Sequence, residues 1–170
     1  MVHLKSCWTP CFWFGNVYEG SIAVAVYSVS MSILIITYTA YVMAGGDASQ
    51  LWLPFFEANL DTTMYGVGIF VLIYFIALVI ASSLLLFGLR TSIRGFILPW
   101  YYMMYVAVLF QAMFGLWLVF GYYIYLEMVF AALCDGLWMG LNMYCMSVVK
   151  SHYVNIKMVQ SPDIEYLNTY

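Results

Sequence analysis

Four long apolar runs, separated by short polar breaks, make up most of the chain. The first covers residues 17–44, the second 64–89, the third 96–121 and the fourth 126–149. A helix needs roughly 20 apolar residues to cross the hydrocarbon core of a bilayer, and each run is long enough. No Lys or Arg falls inside any of them. None alternates with the period of two that marks a membrane strand. In lipid every backbone amide must be paired within its own segment, which makes the helix the form these runs can take. The pattern therefore predicts an all-α membrane protein, a four-transmembrane-helix bundle. It forms a single domain over 1–170 with short tails at 1–16 and 150–170.

Composition strengthens this reading. The chain is 66% hydrophobic and 8% charged, where a soluble domain carries about 25% charged residues. A water-soluble fold of this size exposes too much surface to hide so many apolar side chains. The lipid bilayer is thus the first partner implied. With only five Lys plus Arg, nucleic acid is not an expected partner, because phosphate neutralisation needs basic clusters. The opening residues 1–16 lack a basic stretch, a short apolar core and a small-residue cleavage site, so the first run reads as a retained anchor.

The cations set a direction. Lys5 precedes the first span, Arg90 and Arg94 fall between the second and third, and Lys150 and Lys157 follow the fourth. Four crossings put all five on one side. Basic residues collect on the cytosolic side, so both termini are expected in the cytosol. The opposite side carries Asp47, Glu57 and Asp61 in one loop and a tight turn with Tyr122, Tyr123 and Tyr125, read as an aromatic belt. Trp100, after Pro99 at the start of the third span, is read as an interfacial anchor.

A charge at mid-membrane costs roughly 2.5–3.5 kcal/mol on insertion scales, so each one needs a reason. Asp135 is the acid well inside a span. Gln111 lies at a similar depth when counted from the turn between the third and fourth spans, which makes a hydrogen bond between the two a reasonable expectation. Asn142 follows Asp135 by about two helical turns on the same face. Two readings of Gln111, Asp135 and Asn142 stay open: a proton or cation site, or polar contacts that join helices. Gly136 and Gly140 form a GxxxG in the fourth span. That spacing serves close helix packing, either inside this bundle or against another membrane protein.

The four cysteines avoid the loops opposite the basic side, so no disulfide is expected. Cys134 and Cys145 read as small apolar packing residues. Cys7 and Cys11, next to the first span, suit palmitoylation. His3, Cys7, Cys11 and His152 match no zinc spacing, so no metal is expected. Tyr153 and Ile156, in YVNI, fit the Tyr-x-x-apolar pattern by which an extended peptide binds a clathrin-adaptor type protein. The alternative is an interfacial Tyr beside a snorkelling Lys157. There is no nucleophile–base pair, phosphate loop or carboxylate pair, so neither an enzyme nor a cofactor is expected.

Three segments carry a family resemblance. They are CWTPCFWFGNVYEGSIAVAVYSV at the start, RTSIRGFILPWYY before the third span, and CMSVVKSHYVNI at the end of the fourth. With these the chain resembles the small arthropod four-span (tetraspan) membrane proteins related to pasiflora and to the lysosome-associated four-transmembrane family. It has no Pro-Pro-x-Tyr tail motif, no Cys pair of the claudin type in its first loop and no Cys-Cys-Gly after the second span. The resemblance implies a non-catalytic protein that organises or traffics other membrane proteins by lateral helix contacts. It would sit in the plasma membrane at a cell junction or in the endosome or lysosome membrane. The alternative from the residues themselves is a small channel or proton-coupled transporter centred on Asp135.

Overall fold

The computed structural model describes residues 15–46, 60–122 and 126–160. Its elements are α1 Val17–Met43, α2 Leu60–Thr91, a single 3-10 turn Arg94–Phe96, α3 Leu98–Tyr122 and α4 Leu126–Gln160. Four of its segments are long and apolar enough to cross a membrane: Val17–Met43, Tyr65–Thr91, Arg94–Gly121 and Met128–Gln160. The outer faces of the helices are apolar, with Leu34 64% and Phe120 78% exposed among many others. Such a surface has lipid as its natural surroundings. The chain is an all-α, multi-pass integral membrane protein.

The helices pair as two hairpins, α1 with α2 and α3 with α4. At one end the start of α1 meets the end of α4, where the rings of Tyr18 and His152 lie 5.6 Å apart. The end of α4 also reaches the α2–α3 connection, with Gln160 Nε2 donating to the Ser92 carbonyl at 2.7 Å. Arg90, Arg94, Lys150 and Lys157 belong to these segments. This is the basic end, and the other is the far end.

Helix ends follow local chemistry. At the far end of α1, Gly45 takes φ +88°. The Gly45 amide bonds the Val42 carbonyl and the Gly46 amide the Tyr41 carbonyl. That pair of bonds closes a Schellman cap, and its left-handed residue favours glycine. At the basic end of α2 the same turn falls on Ser92, at φ 56°, and Ile93 N–H reaches the Gly88 carbonyl at 3.1 Å. The 3-10 turn then delivers Ile97 into the core at 1% exposure. Pro99 sits in the first turn of α3, where amides lack intrahelical partners.

Small side chains let α1 enter the bundle closely. Ser21, Ala25, Ser28 and Ser32 recur at three- and four-residue steps and share one buried face. Each serine hydroxyl donates to a carbonyl one turn back: Ser21 to Val17, Ser28 to Val24 and Ser32 to Ser28. Ser82 on α2 does the same with Leu78. The hydroxyls are thus satisfied within their own helices. What the face offers its neighbours is small size, which is what membrane helices use to approach.

The bundle packs unequally along its length. Near the basic end Ala25, Leu85, Leu89, Ile97, Trp100, Val148 and Val149 are each exposed by 1% or less. Trp100 therefore corrects its expected place at the membrane surface. It is fully buried, and its Nε1–H donates to Ser28 Oγ at 3.2 Å. The 3-10 turn carries the start of α3 inward, so the indole meets α1 and not the headgroups.

Helix α4 runs to Gln160, well beyond the expected end at residue 149. Its 35 residues span about 52 Å, against roughly 30 Å of hydrocarbon, so part of it projects beyond the lipid. Span length and helix length are separate quantities here. The residue before a proline is biased away from helix, and Ser161-Pro162 follows directly.

Candidate functional site

The two hairpins separate in the far half and leave a partly open cavity of about 770 Å³ between them. All four helices line it, from Tyr27 to Ile35 on α1, Gly66 to Leu78 on α2, Met104 to Phe114 on α3 and Asp135 to Asn142 on α4. Its floor is the Trp100–Ser28 contact and the tight core beyond. No lining residue lies on the basic side of Tyr27, Leu78, Met104 and Asn142.

Both seams between the hairpins are bridged at cavity level. Across α1 and α4, Trp138 Nε1–H donates to the Tyr27 hydroxyl oxygen at 2.8 Å. Across α2 and α3, the rings of Phe70 and Phe110 lie 6.0 Å apart at 56°, a geometry aromatic pairs favour. One turn toward the basic end, the Tyr74 hydroxyl donates to the Met103 carbonyl at 2.6 Å. These residues were not singled out by sequence reasoning. Their signal is the polar tip on an aromatic ring inside an apolar run, since a buried Tyr or Trp seeks a partner for that tip.

The three polar residues expected to cluster do line one cavity, but their pairing differs from expectation. Asn142 Nδ2 donates to Gln111 Oε1 at 2.8 Å, so Gln111 joins Asn142 and not Asp135. The register explains the change. Asp135 stands level with Gly115, one turn farther out than Gln111, and a Cβ at position 115 would lie 3.0 Å from its Oδ2. Glycine at 115 leaves room for the carboxylate. No described residue supplies a hydrogen-bond partner for Asp135, whereas the other polar side chains lining the cavity each have one.

Gly136 and Gly140 sit on the opposite side of α4, away from the cavity. Both are exposed, and a Cβ built on either meets no described atom within 4 Å. Leu133, Leu137 and Leu141 flank them, also exposed. The close packing inside the bundle is made by the α1 serine face, and the GxxxG of α4 is left free of it.

Tyr153 and Ile156 are helical parts of α4. Ile156 is buried at 7% and Tyr153 packs against the same core. An adaptor needs this motif extended, so the structure corrects the sorting-signal reading: the apolar residue it requires is spent on core packing. Cys145 is buried, while Cys134 is exposed on the lipid side and not packed as expected. Cys7, Cys11, His3, the 47–59 loop and Tyr123 to Tyr125 lie outside the described residues, so palmitoylation and the aromatic belt receive no structural account.

No family model, no curated protein and no solved structure matches this chain.

Proposed function

We propose that this protein is a non-catalytic membrane scaffold that gathers or traffics other membrane proteins through the outward face of α4. The observation that carries the reading is the GxxxG itself: Gly136 and Gly140 are exposed and have no described neighbour in their own bundle. In lipid, helix association rests on backbone approach and packing, because lipid tails are as apolar as the side chains. An exposed Gly-x-x-x-Gly patch between leucines is a surface on which a partner's transmembrane helix can approach closely. A scaffold also has its use for the closed floor at Trp100 and Ser28, whereas a channel or carrier centred on Asp135 needs a path past it.

The test replaces both glycines by leucine. Neighbours recovered by proximity labelling of the tagged protein are expected to be lost, while insertion and monodispersity in detergent are unchanged. Recovery of the same neighbours by the double variant would sink the reading. The identity of those neighbours separates a cell junction from an endosomal or lysosomal membrane, the two sites the family resemblance implies.

In this proposal the basic end faces the cytosol, together with both termini. The described cations Arg90, Arg94, Lys150 and Lys157 gather at that end, and basic residues are retained on the cytosolic side. A protease applied outside intact cells is accordingly expected to leave the 92–97 connection uncut, and to reach it only after the membrane is opened. Cleavage in intact cells would reverse the orientation.

A further inference from the structure

We propose that the cavity between the hairpins binds one lipid alcohol, an apolar body inserted toward Trp100 with its single hydroxyl on the Asp135 carboxylate. The proposal concerns the inside of the bundle and does not depend on the outward face of α4.

Size comes first. A volume of about 770 Å³ falls within the roughly 300–1,000 Å³ typical of sites for one small molecule. Shape comes next. Side chains such as Met31, Val71, Phe75 and Leu78 form a nearly continuous apolar wall. Asp135 lies at the far-end side of that wall and the Trp100–Ser28 floor at the other.

The head group follows from counting donors and acceptors. No lining residue is Lys, Arg or His, so a phosphate head would enter without a cation to pair it. Asp135 is the polar lining side chain that makes no hydrogen bond to a described residue, since Gln111 joins Asn142 and Tyr27 joins Trp138. An ammonium, with three donors to satisfy, is the rival head group. A hydroxyl brings one donor, and the carboxylate meets it. Gly115 keeps the space beside Asp135 Oδ2 clear. A ring-built sterol and a long-chain alcohol are the two sources of such a hydroxyl; both present the same chemistry to Asp135.

The full chain in lipid nanodiscs is exposed to five diazirine photoprobes: a sterol, a fatty alcohol, the methyl ether of each, and a phosphatidylcholine as bulk-lipid control. A fatty amine forms a further arm. Saturable labelling of cavity residues by at least one alcohol is expected, and which one labels identifies the source. A hydrogen bond contributes about 1 kcal/mol net, about fivefold in affinity, so each ether should label about fivefold less than its alcohol. Asp135→Leu should lower alcohol labelling to the ether's level, and Ala107→Trp, which fills the cavity wall, should abolish it. Gly136→Leu with Gly140→Leu should leave it unchanged. Equal labelling by alcohol and ether, or labelling by phosphatidylcholine at the same residues, would overturn the proposal, as would a stronger signal from the amine. So would the absence of saturable labelling by either alcohol. The alcohol–ether comparison uses the unaltered protein, so it decides the matter even where a variant fails to fold.

Discussion

Trp100→Ala is expected to be the most damaging single substitution in the bundle, costing about 3 kcal/mol or more. The indole is completely buried and sits among Leu85, Leu89, Ile97, Val148 and Val149. Trp→Ala changes in packed cores cost about 3–5 kcal/mol, partly for transfer and partly for the cavity left behind. In lipid the transfer part shrinks, because hydrocarbon and not water is the alternative surrounding. The packing part remains, so the low end of the range is the sound expectation. Trp100→Phe separates the two contributions of the side chain. It keeps most of the ring and removes only the 3.2 Å bond to Ser28 Oγ. Hydrogen bonds between membrane helices average about 0.6 kcal/mol, and Ser28 keeps its own bond to Val24. The phenylalanine variant should therefore lose less than about 1 kcal/mol. Thermal unfolding in detergent, followed by near-ultraviolet circular dichroism, measures both. An alanine variant that melts with the unaltered protein would show that the basic-end core does not hold the hairpins together.

The damage would extend to the cavity, since Trp100 and Ser28 form its floor. A bundle firmly packed at one end and parted at the other needs that floor to keep the hairpins at a fixed spacing. The bridges above it are individually small: one Trp–Tyr hydrogen bond on one seam, and one Phe–Phe contact with the Tyr74–Met103 hydrogen bond on the other. The expected order of sensitivity follows from this. Loss of Trp100 should disturb both the fold and the cavity, whereas loss of a seam residue should disturb chiefly the cavity.

The sequence could be read for the spans and not for their faces, and the reason is the solvent. In water an inward face is more apolar than an outward one, and the contrast marks it. In lipid both faces are apolar, as Leu34 outside and Val24 inside show on the same helix. Only small and polar-tipped residues break the uniformity. Those residues carried the part of the site that was legible: Gln111, Asp135 and Asn142 do line one cavity. Their pairing was not legible, because it depends on a register difference of one turn between α3 and α4. Trp100 was misplaced because a tryptophan near a span end reads as an anchor, and the inward path set by the Arg94–Phe96 turn is not visible from spacing. The reach of α4 was underestimated because Lys150 ended the apolar run without ending the helix. The next helix-breaking signal in the sequence is Ser161-Pro162, beyond the last described residue.

Ala25→Leu tests the other half of the packing argument, that α1 owes its place to small side chains. Ala25 is fully buried between Ser21 and Ser28 on the inward face of α1. Three added carbons have nowhere to go without pushing α1 away from its neighbours. Overpacking of that kind costs about 1–3 kcal/mol, and the serines cannot yield space, being as small as the face requires. Leu34→Ala is the matching control. It removes the same three carbons from a side chain that is 64% exposed to lipid, where substitutions usually stay within about 0.5 kcal/mol. The larger residue should thus destabilise and the smaller one should not, the reverse of what counting apolar atoms would give. If both variants unfold at the same temperature as the parent, α1 is held by something other than close approach, and the serine face loses its structural meaning.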